Sequence, residues 1–363
     1  MTCIGAASYH DSMFLNRRRR AEYRGMFTRD ESDDVARFFD GREPTPLRDI
    51  TLGSRRVLVK DESSRFELNA FKVVGVEYAM SKLDLARGVA ITCASAGNFG
   101  RAVAHVGHRM NLRVRVYMSS ATAIGPRQAI ESEGADVVIV DGTYDDAVRA
   151  MRNDGAIIIS DTAWPGHEQV PRDIMLGYTR IMDEVREQWP VVPNIVFVQA
   201  GVGGLAAAVV SWLRDRSVDA FMICVEPASA NPLMLSAQAG HIVDVKTPLS
   251  TIMAGLRCAE ASSIAVQPLI DGCDAFMTIE DDDTREAMRV LAKHGIVAGP
   301  SGAAGLAALL AIGHPAQASR IEGAALHERV GWLDFARHDT QVAFVINTEG
   351  ATDRSLYDAI VGH

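Results

Sequence analysis

Cysteine is scarce and scattered in this chain. Its five cysteines, Cys3, Cys93, Cys224, Cys258 and Cys273, form no C-x-x-C pair. That spacing argues against a zinc ribbon and against a disulfide framework, and points to reduced thiols in a cytoplasmic protein. No apolar run reaches the roughly 18 residues that a membrane span needs. The opening residues, Met1 to Ser8, lack a positive segment followed by a long apolar one, so no secretion signal is expected. Basic charge is in deficit, with 37 Lys and Arg against 46 Asp and Glu and a net charge of -9. An acidic balance disfavours nucleic acid and anionic membrane as partners. The one basic run, Arg17 to Arg20, is followed by Glu22, Asp30, Glu31, Asp33 and Asp34 and reads as a solvated face. Internal repeats and low-complexity tracts are absent. His105 and His108 fall on one expected helix with no nearby carboxylate or third ligand, so no metal site is expected.

What is there suits a substantial core. The 363 residues are 48% hydrophobic and 23% charged, enough for about two domains. Short β-branched runs alternate with amphipathic stretches. Strands are expected at 89–93, 114–118, 137–140 and 157–159, with helices at 100–110, 127–133 and 144–152 between them. The rhythm resumes with a strand at 195–198, a helix at 205–213, a strand at 221–225, a helix at 302–310 and a strand at 342–346. Continuous apolar strands of this kind suit a parallel sheet covered on both faces, an α/β architecture of doubly wound type. Pro190 and Pro193 punctuate the middle as a candidate domain boundary. Asp281-Asp282-Asp283 reads as a helix start, where carboxylates complement the dipole. Residues 312–341 are polar and resist assignment.

Lys72 is the most informative single residue. It lies in Asn69-Ala70-Phe71-Lys72-Val73-Val74-Gly75, between an apolar run and the start of an expected helix. Burial there costs its charge heavily unless the amine is engaged. One way to engage it is a Schiff base with a carbonyl cofactor. Read alone, it fits a snorkelling lysine better. Three strand-loop-helix junctions change the balance. Gly201-Val202-Gly203-Gly204 can turn backbone N–H groups toward an anion at a helix N-terminus, and a phosphate is the natural guest. The spacing is not that of a dinucleotide fingerprint, and a plain tight turn fits this element equally well. Ser95-Ala96-Gly97-Asn98-Phe99-Gly100 offers Ser95 and Asn98 as side-chain donors or, alternatively, as N-caps. Pro300-Ser301-Gly302 offers Ser301 in the same two senses. Open α/β sheets bind ligands at such carboxyl-terminal strand ends.

Together these features resemble the fold type II pyridoxal-phosphate enzymes, the family of threonine dehydratase and cysteine synthase. The resemblance implies a two-domain enzyme with open, twisted, mostly parallel sheets covered by helices on both faces. It implies a large cofactor-binding domain, residues 1–80 with 191–363, and a small mobile domain, 81–190. It implies pyridoxal 5'-phosphate held by Lys72, with Phe71 beside it. Gly201, Val202, Gly203 and Gly204 would cradle the phosphate, and Asn98 would meet the ring hydroxyl. Ser301 would meet the pyridine nitrogen. Ser95, Ala96, Gly97 and Asn98 would clasp the substrate carboxylate.

Within that family the chain is most similar to the diaminopropionate ammonia-lyases, from about Asn16 to Tyr357. The shared segments include Lys60 to Phe66, Leu68 to Lys72, Tyr144 to Asp146, Asp161 to Trp164, Gln199 to Gly203, Val225 to Pro227, Thr251 to Leu256 and Thr348 to Asp353. The departures are specific. Those lyases usually read T-D-G-N-H-G where this chain has Ser95 to Gly100, so their aspartate, the base for the D-isomer, is Ala96 and their histidine is Phe99. Their R-F-G-L is Arg65-Phe66-Glu67-Leu68. Their second acid survives as Asp161, although Asp-Thr before a Trp also suits a capped turn.

The resemblance therefore implies α,β-elimination on 2,3-diaminopropionate, as the L-isomer, or on a close β-substituted L-amino acid. Lys72 and Asp161 would be catalytic, through a Lys72 Schiff base and an aminoacrylate, giving a 2-oxo acid and ammonia. A β-replacement synthase, or an enzyme like the serine and threonine dehydratases, is the alternative. A cytoplasmic homodimer acting on a small amino acid, with no metal, completes the expectation.

Overall fold

The computed structural model describes residues 12–246, 248–312 and 341–362. The hard-to-assign stretch expected at 312–341 falls almost wholly outside them. Eleven strands are described: β1 (Met13–Leu15), β2 (Leu47–Leu52), β3 (Arg55–Asp61), β4 (Ala90–Ala94), β5 (Arg113–Ser119), β6 (Asp136–Val140), β7 (Ile157–Ile158), β8 (Ile195–Gln199), β9 (Phe221–Pro227), β10 (Ala275–Ile279) and β11 (Val342–Asn347). They form two sheets. The larger runs β1-β10-β9-β8-β11-β3-β2 and the smaller β6-β5-β4-β7. The smaller sheet is parallel throughout; the larger has a parallel centre with antiparallel β1 and β2 at its edges.

The helices are α1 (Arg29–Phe38), α2 (Lys72–Ser81), α3 (Asn98–Arg109), α4 (Ile124–Glu131), α5 (Tyr144–Arg152), α6 (Gln169–Gly177), α7 (Thr179–Gln188), α8 (Gly204–Asp215), α9 (Pro232–Ala239), α10 (Ser263–Gly272), α11 (Asp281–Lys293), α12 (Pro300–Ile312) and α13 (Arg354–Val361). Each β-helix-β rhythm expected from the periodicity is present, shifted by up to three residues at its ends. The helix at Asp281 is there as well. The edge strands β1 and β2, the central strands β3 and β10, and the helices α1, α6, α7, α9, α10 and α13 were not anticipated.

Strand alternation explains how both faces of the larger sheet are filled. Val196, Val198, Met222, Cys224, Phe276 and Phe344 point into one core with α8 and α10. Ile195, Phe197, Ile223, Val225, Met277 and Val345 point into the other with α11 and α12. A strand buried on both faces has no polar side to show, so β8 is apolar from Ile195 to Val198, ahead of its terminal Gln199. The same logic makes α12 apolar all round; nearly every residue from Pro300 to Ile312 is buried.

This topology places the carboxyl ends of β3, β4, β8 and β11 to feed the loops at 61–71, 95–97, 201–203 and 348–350. The motif Lys60 to Phe66 then gains a structural meaning. Lys60, Glu62, Arg65 and Glu184 are all buried. Glu184 accepts from Lys60 Nζ (2.6 Å) and from Arg65 Nη1 and Nη2 (2.8 and 2.7 Å). Arg65 also donates to Glu62 through Nε (2.7 Å) and Nη2 (2.8 Å). Burial opposes charge on Glu184, but Arg65 and Lys60 outweigh it and hold the carboxyl below its usual range. The network pins the segment that leads to Lys72 onto α7.

Candidate active site

Lys72 is the first residue of α2, and the chain reaches it through an uncommon path. Phe66, Glu67 and Asn69 all have positive φ, at 44°, 65° and 57°. Such conformations are costly for side chains with a Cβ and persist where the surroundings fix them. Here the C-terminal segment does so. Phe71 N–H donates to Thr348 O (3.1 Å) and Gly350 N–H to Asn69 O (2.8 Å). Glu67 occupies one of these positions with its side chain exposed. It borders a cavity of about 390 Å³ lined by Arg42 to Thr45 and Ser64 to Glu67. Its departure from the glycine of the resembling lyases puts a side chain on a left-handed backbone position.

The Lys72 ammonium donates to Asp161 Oδ2 at 2.6 Å. Each side chain is 19% exposed. Burial alone pulls the lysine pKa down, but the adjacent carboxylate more than offsets this and the net shift is upward. The amine also lies 5.2 Å from the Phe71 ring centroid and 5.7 Å from that of Phe99. Asp161 sits in the turn after β7. Ser160 Oγ braces that turn by accepting from Thr162 N–H, and Ser262 Oγ accepts from Ala163 N–H at 3.0 Å.

A chain of contacts joins the other expected residues to this pair. Phe99 stands beside Asn98, whose Nδ2 donates to Glu349 Oε2 at 2.5 Å. Ser301 N–H donates to Glu349 Oε1 at 3.1 Å, and Ser301 Oγ accepts from Gly255 N–H at 3.0 Å. A Cβ on Gly201 would stand 2.9 Å from Gly255 O and 3.1 Å from Cys258 Sγ. Gly203 takes φ +98°, and a Cβ there would lie 3.0 Å from the Ala265 methyl. The loop therefore accepts only glycine at both places. Among the described residues, the backbone N–H groups of Gly201, Val202 and Gly203 find no backbone acceptor, and Gly204 opens α8. Ser95 and Ala96 are half-buried and Gly97 is exposed at the rim, with Gly97 N–H donating to Ser95 Oγ at 3.3 Å.

Four groups were missed as site residues. Glu349 is 6% exposed and links Asn98 to Ser301. Burial raises its pKa, and donors from Ser301, Asn98 and Gly302 work against that. Cys258 has its thiol pushed up to about 12, chiefly by burial and then by Asp161. Tyr144, though 57% exposed, donates to Ala94 O at 3.2 Å. Tyr178 is buried with an unpartnered hydroxyl. Glu349 and Tyr144 stood inside shared segments; Cys258 and Tyr178 carried no local signal. One sequence expectation needs correcting. His105 does have a carboxylate at hand, since Oε2 of Glu133, just past the end of α4, lies 2.9 Å from its Nδ1. Even so, no group of His, Cys, Asp and Glu able to hold a metal occurs among the described residues.

The groups present fit a phosphorylated aldehyde. Unpaired loop amides and an unpartnered buried hydroxyl suit an anion, and the Lys72 amine suits a carbonyl. Fold and site together define a class, an α/β enzyme with a lysine and a glycine loop gathered at the carboxyl ends of its strands. The chain belongs to the pyridoxal-phosphate dependent enzyme family, whose profile matches residues 38–324, and pyridoxal phosphate is its cofactor. The chain is 33% identical to diaminopropionate ammonia-lyase of Escherichia coli K12, over 97% of this chain and 95% of that protein. The Salmonella typhimurium protein of the same name is 31% identical over 87% of each. The E. coli lyase in complex with an aminoacrylate-PLP azomethine reaction intermediate superposes with a TM-score of 0.84, at 32% identity and 96% coverage of each chain. Threonine deaminase isoform 2 of Solanum lycopersicum, at 21% identity, 99% coverage of each chain and a TM-score of 0.75, shares the fold.

Proposed function

We propose that this protein is a diaminopropionate ammonia-lyase that acts on the L-isomer, or on a close β-substituted L-amino acid. For L-2,3-diaminopropionate the balance is substrate plus water giving pyruvate and two ammonia. The observation that carries this reading is the 2.6 Å contact between Lys72 Nζ and Asp161 Oδ2 in a chain so similar to the E. coli lyase. The cofactor, when bound, draws electrons from the α-carbon of an attached amino acid and so acidifies its proton. Lys72 Nζ takes that proton. Asp161, in hydrogen-bond reach of the resulting ammonium, gives the proton a route to the departing β-amine. Phe71 and Phe99 keep water from the amine. Asn98 and Ser301, braced by Glu349, orient the cofactor ring, while Ser95, Ala96, Gly97 and Asn98 hold the substrate carboxylate. The amides from Gly201 to Gly204 take the phosphate. Ala96 carries no carboxylate, so nothing at that position accepts a proton from the D-isomer.

The same reading makes residues 81–190 a small mobile domain on a large one of 1–80 and 191–363. The four-stranded sheet, drawn only from residues 90–158, supports it. A cytoplasmic homodimer is the proposed setting. The family resemblance supports both parts of that setting, and the free thiols of Cys93, Cys224, Cys258 and Cys273 suit a reducing compartment. No helix among the described residues is long and apolar enough to cross a membrane. The test is a substrate panel of L- and D-2,3-diaminopropionate, L-serine and L-threonine, with pyruvate and ammonia measured for each. L-2,3-diaminopropionate should give the highest kcat/KM. A higher value for L-serine or L-threonine would replace this reading with a dehydratase.

A further inference from the structure

Tyr178, at the junction of α6 and α7, is 1% exposed, and its hydroxyl has no hydrogen-bond partner. Folded proteins seldom leave a buried phenol in that condition, so a missing partner is the natural explanation. The ring is tightly located. Its Cε1 lies 2.5 Å from where a Cβ on Gly75 would stand, and its Cε2 lies 3.8 Å from where one on Gly204 would stand. Those two carbons flank the one that bears the hydroxyl. The hydroxyl end is thus held between the first turn of α2, which carries Lys72, and the first turn of α8, which the glycine loop opens. The ring also leans on Phe71, with centroids 4.8 Å apart. No side chain other than hydrogen could occupy position 75 without displacing this ring.

We propose that the Tyr178 hydroxyl donates a hydrogen bond to the cofactor phosphate and so completes the anion cradle begun by the amides of Gly201 to Gly204. An anion beside a buried neutral donor gains a charge-assisted bond in a site with little competing water. Burial raises the phenol pKa, against the opposing charge of Lys72, so the hydroxyl keeps its proton and stays a donor. The proposal rests on the cofactor assignment and is independent of which amino acid is the substrate.

Tyr178→Phe keeps the ring between Gly75 and Gly204 and removes only the hydroxyl. The apoenzyme, parent and variant, is titrated with pyridoxal 5'-phosphate and separately with pyridoxal, which lacks the phosphate. The variant should bind pyridoxal 5'-phosphate about 10- to 100-fold more weakly and pyridoxal as tightly as the parent does. Its apoenzyme should melt at the parent temperature or above, because an unsatisfied group has been deleted. Equal loss for both ligands would mean that the hydroxyl serves Lys72 and would overturn the proposal. Unchanged affinity for both, or an apoenzyme with a lowered melting temperature, would overturn it as well. A parent that binds neither ligand would instead remove the cofactor assignment itself.

Discussion

Replacing Asp161 with Asn should separate two effects that the Lys72–Asp161 pair combines. In the folded protein the carboxylate is the main reason the lysine pKa lies above its ordinary value, since burial pulls the other way. The pair is close, at 2.6 Å, and both partners are only 19% exposed, so solvent screens it weakly. A charge-assisted hydrogen bond of this kind is worth about 1.5–3 kcal/mol, which corresponds to a drop of about 1–2 in the lysine pKa. The neutral amine fraction near pH 7.5 should then rise about tenfold or more. Only the neutral amine attacks an aldehyde, so Asp161→Asn apoenzyme should load pyridoxal 5'-phosphate about tenfold faster than the parent at that pH. Turnover should move in the opposite direction. Loss of a positioned proton carrier costs about 10²–10⁴-fold in kcat. Stopped-flow growth of the visible band of lysine-bound cofactor, from pH 6 to 10, gives the first quantity, and ammonia release gives the second. A loading rate and pH profile identical to the parent would show that Asp161 does not govern the amine. Parent-level ammonia release would remove it from the proton path.

Further consequences are open to test. Ala96→Asp should introduce turnover of D-2,3-diaminopropionate at 10²-fold or more above the parent's background, while L-turnover persists; ammonia release from the pure D-isomer decides it. Glu67→Gly relieves a left-handed backbone at φ 65° and should raise stability by up to about 1 kcal/mol in urea unfolding. A loss of stability would mean that the exposed carboxylate makes a contact of value. Glu184→Ala leaves Lys60 and Arg65 buried with half their countercharge and should cost about 3–5 kcal/mol. Because Glu184 has a depressed pKa when folded, its contribution is full above about pH 4.5 and is lost as pH falls through the folded value. Glu184→Gln should therefore flatten the acid limb of the parent's stability profile, and an unchanged limb would place acid lability elsewhere.

Much was readable from residue order. Apolar runs bounded by glycine fixed the alternation of strands and helices, because a strand covered on both faces can carry no polar side. Lys72 stood out because a charge at the edge of an apolar run needs engaging, Gly201 to Gly204 because such a loop can turn its amides toward an anion, and a resemblance spread over several segments gave them roles. Local sequence could not show what arrives from a distance. Glu349 lies 251 positions from the Asn98 it braces and 48 from Ser301, and nothing near it marks a buried carboxylate. Glu133 reaches His105 only because α3 and α4 fold back on each other. Tyr178 carried no signal in the sequence, and only the packing of Gly75 and Gly204 around its hydroxyl end marks it out. Periodicity and covalent chemistry are properties of neighbours in the chain, so the sequence carries them. Burial, unpaired donors and the 2.6 Å approach of Asp161 to Lys72 belong to residues that only packing makes neighbours, so they waited for the tertiary structure.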